Sequence, residues 1–150
     1  RDPDVSSPLQ DLTKGCFHDV LDDSFVTPGP GVKRILLCSG KIAVDLQKER
    51  NKRELRDIAI VRLEQLYPLP LADLQRILAG YGSDFQLFWV QEEPWNMGAW
   101  QFLRSRLGER VFGKYELNLI SRPESASPST GSKNAHKLEQ QEIIEAALGN

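Results

Sequence analysis

Several features are scarce in this chain of 150 residues, and each shortage argues against a class of protein. Basic charge is not in excess, because 19 Lys and Arg stand against 21 Asp and Glu, so general binding to nucleic acid is not expected. No apolar run approaches the roughly 20 residues of a membrane span, so no membrane is expected as a partner. The hydrophobic fraction of 40% is still high enough to argue against disorder. A single folded domain of ordinary composition remains.

Reactive side chains are few as well. The two cysteines, Cys16 and Cys38, lack CxxC spacing and lack metal-ligand spacing to the two histidines, His18 and His136. The sequence has no GxSxG motif and no nucleophile next to a base, so acyl transfer and zinc chemistry have no candidate residues. Cys38 ends an apolar run, which predicts a buried, reduced thiol and an intracellular, cytoplasmic protein.

The beginning of the chain has the composition of a linker. Residues 1–11 are polar and contain two prolines, and neither Met nor a secretory leader opens the sequence. Residues 28–31 read Pro-Gly-Pro-Gly, a dense turn signal, while residues 16–21 have a weak strand pattern. We expect a linker and a candidate antiparallel first strand over residues 1–31, followed by one α/β domain over residues 32–150.

From residue 32 onward, apolar runs alternate with helical patterns. Continuous runs are typical of parallel strands covered on both faces, whereas the last run alternates like a half-covered strand. Strand–helix units in series imply right-handed crossovers and a three-layer α/β/α architecture. Strands are predicted at residues 35–38, 58–61, 85–90 and 117–120, and helices at residues 41–53, 71–79, 99–107 and 133–148.

The predicted helices carry apolar stripes and clear boundaries. Pro70 precedes the second helix and Gly80 follows it, Ser132 can cap the last helix, and Glu49 and Arg53 form an i,i+4 pair. The side chains predicted to face the core are Ile42 and Leu46 in the first helix, Leu71, Leu74 and Leu78 in the second, Trp100, Leu103 and Leu107 in the third, and Leu138, Ile144, Ala147 and Leu148 in the last.

Functional groups of an open parallel sheet gather beyond the carboxyl ends of its strands. The first helix opens there with Ser39-Gly40-Lys41, where free backbone amides can hold an anion. Because the GxGxxG pattern and the GK[ST] ending are both missing, an ordinary helix start is favoured. The candidate residues of this edge or interface are Ser39, Gly40, Lys41, Arg62, Gln91, Glu92, Glu93, Asn96, Trp100 and Arg122.

Two acidic residues of this edge are adjacent. Glu92 and Glu93 would face opposite ways on a strand, which does not suit a catalytic carboxylate pair. We expect one of them to form a structural ion pair with Arg62 or Arg122 at the same edge.

The three tryptophans could stack on a planar ligand, but their positions favour packing. Trp89 belongs to an apolar strand, and Trp95 and Trp100 flank a turn at Gly98. We expect this turn to lie at a domain or subunit interface.

The order of the motifs is more specific than any motif alone. It comprises Cys38-Ser39-Gly40-Lys41, residues 60–68 (IVRLEQLYP), residues 89–94 (WVQEEP) and residues 122–128 (RPESASP). Together they closely resemble the C-terminal domain of the first, decarboxylating component of the 2-oxoglutarate dehydrogenase complex, of bacterial type. The resemblance covers essentially the whole chain.

This resemblance implies a transketolase C-terminal-like fold with a mixed, mostly parallel five-stranded sheet, in which residues 16–21 are the antiparallel strand. It implies that the parent enzyme decarboxylates 2-oxoglutarate on thiamine diphosphate. The succinyl group then passes to the lipoyl arm of the dihydrolipoyl succinyltransferase core. In this family the cofactor and its magnesium are held by upstream domains, so no catalytic, cofactor or metal residue is assigned here.

Two roles remain open for this segment. One is a non-catalytic assembly domain that contacts the rest of the same polypeptide and completes a homodimer. The other is a regulatory module for a small anion, nucleotide or acyl-CoA, using Ser39, Gly40, Lys41 and Arg122. The related 2-oxoadipate dehydrogenase is an alternative parent, because its domain is similar.

Overall fold

The protein is represented by a computed structural model that describes residues 16–128 and 130–149. Its strands are β1 (Val20–Leu21), β2 (Arg34–Cys38), β3 (Ile58–Leu63), β4 (Gln86–Pro94), β5 (Arg110–Val111) and β6 (Tyr115–Arg122). Its helices are α1 (Lys41–Lys52), α2 (Leu71–Gly80), α3 (Trp100–Leu107) and α4 (Lys133–Leu148).

The strands form one six-stranded sheet in the order β1-β3-β2-β4-β6-β5. The four central strands are parallel, and the short outer strands β1 and β5 are antiparallel to their neighbours. The mixed, mostly parallel sheet is therefore confirmed, with β5 as a strand beyond the expected five. At two residues, β5 is too short to produce a hydrophobic pattern, and the first strand covers only Val20–Leu21 of the predicted 16–21.

The sheet lies between two layers of helices because alternate residues of its strands point to opposite faces. Ile35 and Leu37 pack with side chains of α2 and α3, whereas Leu36 and Cys38 pack with side chains of α1 and α4. All four are buried, which explains the continuous apolar run of β2. The three-layer architecture is thus confirmed.

The helix boundaries agree closely with the prediction, but Leu71 and Leu138, which were predicted to face the core, are exposed. α2 includes Gly80 in its last turn, and Leu71 at its first position is largely exposed. Leu138 is 62% exposed, because it precedes the buried Ile143 by five residues and so lies about 140° around α4. Ser132 does occupy the N-cap of α4, without a side-chain capping bond. In the described part of the chain, no helix combines the length and apolarity needed to cross a membrane.

The described residues ahead of β2, from residue 16 onward, pack into the domain. Residues 1–11, predicted as a linker, lie outside the described residues. Val20–Leu21 pairs with β3, and the side chains of Asp23, Val26 and Val32 are buried. The described part of residues 1–31 therefore packs against the sheet, which a linker composition alone does not indicate.

Candidate functional site

The carboxyl ends of the four parallel strands meet at one edge of the sheet. The chain moves from β2 to β3 on one side and then returns to place β4 on the other side of β2. This reversal is a topological switch point, where open α/β sheets bind ligands. Residues 39–41 follow β2 and residues 91–100 end and follow β4, so most of the predicted candidates surround this point.

Gln91 holds together the turn that follows β4. Its buried side-chain oxygen accepts hydrogen bonds from Trp89 Nε1 at 2.9 Å and from the amide of Trp100 at 3.0 Å. Its Nε2 donates to the carbonyls of Met97 at 2.7 Å and Pro94 at 3.1 Å. A buried amide with both ends satisfied stabilises a unique turn conformation, so Gln91 organises the edge rather than facing a ligand.

Gly98 allows this turn to close on Gln91. Its φ is +70°, in the left-handed region that favours glycine. A Cβ at this position would lie 3.0 Å from the Gln91 side-chain amide and 3.0 Å from the Glu93 Cβ. Both the backbone conformation and the close approach therefore require the glycine.

Arg122 joins three elements at the end of β6. Its Nε donates to the carbonyl of Glu92 at 2.6 Å, and another guanidinium nitrogen donates to the carbonyl of Pro128. Its side chain also forms an ion pair of 3.2 Å with Glu139 on α4. Three acceptors within the protein thus occupy the guanidinium, which ties β4, the 123–132 loop and α4 together.

The predicted ion pair between Glu92 or Glu93 and one of the two arginines is wrong. Arg122 contacts the backbone of Glu92, not its carboxylate, and pairs with a glutamate of α4 instead. Arg62 Nε lies 2.5 Å from Glu64 Oε1, an ion pair without hydrogen-bond geometry. Glu64 follows Arg62 by two residues, just past the end of β3, whereas β2 separates Arg62 from the glutamates of β4.

Asn96 connects the two loops of this edge. Its Nδ2 donates to the carbonyl of Ser125 at 2.9 Å, and its Oδ1 accepts from the amide of Ser125 at 3.1 Å. The side-chain amide therefore pairs with the backbone as a neighbouring strand would. It fastens the turn after β4 to the loop after β6.

The start of α1 is an accessible part of the predicted edge, since Gly40 and Lys41 are exposed. Gly40 is the N-cap with a φ of +71°, and no side chain caps the helix. Lys41 is exposed, with its Nζ 2.5 Å from Asp45 Oδ2. That hydrogen bond, aided by the negative charges of Asp45 and Glu92, raises the pKa of Lys41 above its ordinary value. Ser39, Gly40 and Lys41 thus present a permanent positive charge beside free amides.

A buried charge pair at the other side of the sheet was not predicted. The Asp23 carboxylate accepts hydrogen bonds from the amides of Phe25 at 2.7 Å, Val26 at 3.0 Å and Ile60 at 2.6 Å. It also binds the guanidinium of Arg50, which is 1% exposed. Buried charges of this kind are stable only when they are paired and hydrogen-bonded, as both are here.

The sequence indicates that Arg50 is buried, but it does not indicate that Asp23 is its partner. Arg50 follows Ile42 and Leu46 at four-residue spacing, so it lies on the buried stripe of α1. A charged residue on an apolar stripe indicates a buried partner. Asp23 lies 27 residues earlier in an irregular segment, and no local pattern connects it to α1.

The described residues offer little reactive chemistry. Burial raises the pKa of Cys38 to about 12, so this buried thiol stays protonated, as predicted for a packing residue. Cys16 Sγ does lie 3.7 Å from His18 Nε2, a proximity that was not predicted, but both side chains are exposed. Within residues 16–128 and 130–149, no group of three or more His, Cys, Asp or Glu is arranged to hold a metal ion.

Comparison with known proteins gives a consistent result. The family described as "2-oxoglutarate dehydrogenase C-terminal" matches residues 6–148. The chain is 40% identical over 148 residues to the 2-oxoglutarate dehydrogenase E1 component of Cupriavidus necator. It is 39% identical over 150 residues to the component of the same name from Geobacillus sp.. It is 44% identical over 154 residues to the multifunctional 2-oxoglutarate metabolism enzyme of Mycolicibacterium vanbaalenii.

These matches cover 99% of this chain and only a small part of each relative. The chain spans 16% of the length of the Cupriavidus and Geobacillus proteins and 12% of the Mycolicibacterium protein. The fold defines a mixed α/β domain of the transketolase C-terminal-like class. Within that class, the chain belongs to the family of 2-oxoglutarate dehydrogenase C-terminal domains.

Proposed function

We propose that this chain is a non-catalytic assembly domain of a 2-oxoglutarate dehydrogenase E1 component. The observation that carries the proposal is the use of polar groups at the carboxyl edge. Gln91, Asn96 and Arg122 direct their donors and acceptors to backbone groups of the surrounding loops. Such an edge is a rigid surface, and preorganised loops of this kind suit contact with another folded part.

The whole protein is proposed to be a cytoplasmic enzyme of the tricarboxylic acid cycle. Its reaction is the decarboxylation of 2-oxoglutarate, followed by transfer of the succinyl group to the lipoyl arm of a dihydrolipoyl succinyltransferase core. Thiamine diphosphate, held with magnesium, supplies the carbanion chemistry of that reaction. The described residues do not fit a magnesium site, since they contain no suitable cluster of ligands, so we assign both groups to other parts of the polypeptide.

The proposed partners are the rest of the same polypeptide and a second copy of the enzyme. The exposed ring of Tyr67, in the loop before α2, supports a contact surface next to the partly buried Phe102 of α3. Tyr67 is 76% exposed, and its ring lies 6.5 Å from that of Phe102 in an edge-to-face arrangement. Exposed apolar groups next to one another often mark interfaces, and Tyr is enriched at them.

The assembly role is tested in the whole enzyme by charge introduced at this surface. Tyr67→Asp is expected to weaken assembly at least tenfold, measured by sedimentation equilibrium, because an aspartate cannot be buried there. The matched control is Leu138→Asp, which alters a similarly exposed apolar residue on the opposite face of the sheet. If both variants assemble as tightly as the unsubstituted enzyme, the proposal is contradicted.

The isolated 150-residue chain provides a second test. Calorimetric titration with thiamine diphosphate and magnesium is expected to show no binding, because the ligands lie elsewhere in the polypeptide. Tight, magnesium-dependent binding would contradict a non-catalytic role.

A regulatory module for a small anion, nucleotide or acyl-CoA is the second candidate. The exposed Lys41 beside the uncapped start of α1 favours it, although the guanidinium of Arg122 is already engaged. Thermal unfolding of the chain with phosphate, AMP or acetyl-CoA distinguishes the two roles. An assembly domain gives no shift, whereas stabilisation that is lost in Lys41→Ala would establish the regulatory site.

A further inference from the structure

Asp23 is the buried polar anchor of the segment ahead of β2, residues 16–32, which we call the strap. Its fully buried carboxylate binds two amides of the strap itself, the amide of Ile60 on β3 and the guanidinium of Arg50 on α1. Because a single carboxylate holds groups of three different elements, its departure would break all of these contacts together.

Two further side chains tie the strap to the domain. The hydroxyl of Tyr81, which directly follows α2, donates to the Asp22 carboxylate at 2.7 Å. The guanidinium of Arg56, in the turn between α1 and β3, donates to the carbonyl of Phe25 at 3.0 Å and lies 3.8 Å from the centre of its ring. The strap is therefore attached at both helix layers, in each case through polar or charged groups.

Apolar burial contributes little to holding the strap. Val26 and Val32 are its only fully buried apolar side chains, and β1 adds two residues of strand pairing. Opening would return the charges of Asp23 and Arg50 to water, and hydration offsets much of what a buried ion pair provides. Segments with few buried apolar contacts open at a lower free energy than core strands. We therefore expect the strap to open while the sheet stays folded.

The strap also holds the loop that carries Tyr67. The carbonyl of Asp19 accepts hydrogen bonds from the amides of Glu64 at 2.9 Å and Gln65 at 3.2 Å, just past the end of β3. The side chain of Gln65 in turn donates to the carbonyl of Pro68 at 2.9 Å. Tyr67 lies between the two residues joined by this last bond, so the hydrogen bonds that place it begin at the strap.

We propose that the strap opens and closes as one unit, and that the contact surface around Tyr67 is complete only when the strap is closed. Opening frees residues 64–68 and removes the surface without changing any residue in it. This dependence rests on the assembly role proposed above, and it makes the apparent affinity of assembly proportional to the closed fraction. By linkage, assembly through this surface holds the strap closed.

Hydrogen exchange in the 150-residue chain tests whether the strap and the loop move together. The reporter amides are those of Val26, Ile60, Glu64 and Gln65, whose acceptors all lie in the strap. We expect them to share one protection factor, at least tenfold lower than that of the amides of β2 at the centre of the sheet. Separate exchange of Glu64 and Gln65, or exchange of all four only together with β2, would overturn the proposal.

Two variants separate the strap from the rest of the fold. Leu148→Ala removes a buried side chain from the α1–α4 layer, which stays packed whether the strap is open or closed. It is expected to speed exchange of the β2 amides at least tenfold and to leave the four reporter amides unchanged. Tyr81→Phe removes only the hydroxyl that binds Asp22, and it is expected to speed the reporter amides severalfold. Reporter amides that follow β2 in Leu148→Ala, or that ignore Tyr81→Phe, would contradict a separate strap.

Assembly of the whole enzyme tests what the strap does. Asp23→Asn removes the charge that pairs with Arg50, so it is expected to leave the reporter amides unprotected and to weaken assembly at least tenfold in sedimentation equilibrium, with Tyr67 unchanged. Asp84→Asn is the matched control, because its exposed carboxylate pairs with Lys33 outside the strap, and unchanged assembly is expected. Full assembly of Asp23→Asn with unprotected reporter amides would overturn the dependence on the strap, whereas the assembly role itself is decided by Tyr67→Asp.

Discussion

The two edges of the sheet use their polar groups in opposite ways. At the β1 edge, the buried Asp23 and Arg50 satisfy each other and fasten an irregular segment to the domain. At the β6 edge, β5 pairs only with Tyr115 and Glu116, and no described strand pairs with the outer side of residues 118–122, beside the exposed Trp95. Among the described residues, one edge of this domain is therefore closed by a buried charge pair, whereas the other keeps a stretch of strand without a neighbour.

The largest expected effect is at the closed edge. Asp23→Ala leaves the guanidinium of Arg50 buried and unpaired, so the free energy of unfolding falls by about 3–5 kcal/mol. The exposed pair Arg76–Asp73 is the matched control, and Asp73→Ala changes stability by about 0–1 kcal/mol. Urea denaturation measures both. Similar losses in the two variants would contradict the role assigned to burial.

The next effect concerns the turn that positions Trp95 beside the open edge. Gly98→Ala places a Cβ against Gln91 at positive φ and lowers stability by about 1–3 kcal/mol. Gly113→Ala is the control, since its φ is +71° with no atom within 4 Å of the added Cβ. Its loss is expected to be about 1 kcal/mol, from backbone conformation alone. If thermal or urea unfolding shows equal losses of stability in the two variants, the close contact with Gln91 does not contribute to the free energy of unfolding.

A smaller effect is expected from the ion pair that borders the open edge. A double-mutant cycle between Arg122 and Glu139 is expected to give a coupling energy of about 1 kcal/mol. The corresponding cycle between Arg122 and Glu92 should give none, because Arg122 contacts only the Glu92 carbonyl. Both cycles use alanine substitutions and urea denaturation. Coupling to Glu92 instead would restore the ion pair predicted from the sequence.

The smallest effect is a pH dependence on the α1–α4 surface. The hydrogen bonds from Arg53 lower the pKa of Glu145 and, on α1, that of Glu49. A carboxyl group whose pKa is lowered by folding stabilises the protein above its unfolded pKa of about 4.3, and this stability is lost as pH falls through the folded value. Glu145→Gln should flatten the acid limb of the stability–pH curve, whereas Glu142→Gln on the same helix should not. Identical acid limbs would show that this partly buried pair is fully screened.

The sequence predicted the elements of this fold well because their signals are local. The continuous apolar runs at residues 35–38 and 58–61 require burial on both faces, and the sheet provides it. The buried state of Cys38 followed from the same run. β5 escaped prediction, since a two-residue strand exists only through its pairing with β6.

The candidate site was only partly predictable. Position along the chain places Gln91, Asn96 and Arg122 near the carboxyl ends of the strands, where the structure finds them. What they bind was not predictable, because most of their partners are backbone carbonyls and amides, which every residue carries. The one side-chain partner, Glu139 of α4, lies 17 residues after Arg122 on another element. The role of these residues at an interface stays a prediction.

The sequence by itself determined the layers, the order of strands and helices, and the family, because apolar periodicity and motif order are properties of neighbouring residues. The tertiary structure alone decided which polar groups are satisfied. Asp23 meets Arg50 across 27 residues, and Arg122 meets Glu139 rather than a neighbour on β4. In the described part of the chain, the outer side of residues 118–122 has no neighbouring strand. Pairing of this kind depends on distances between elements, and those distances are set only when the layers pack.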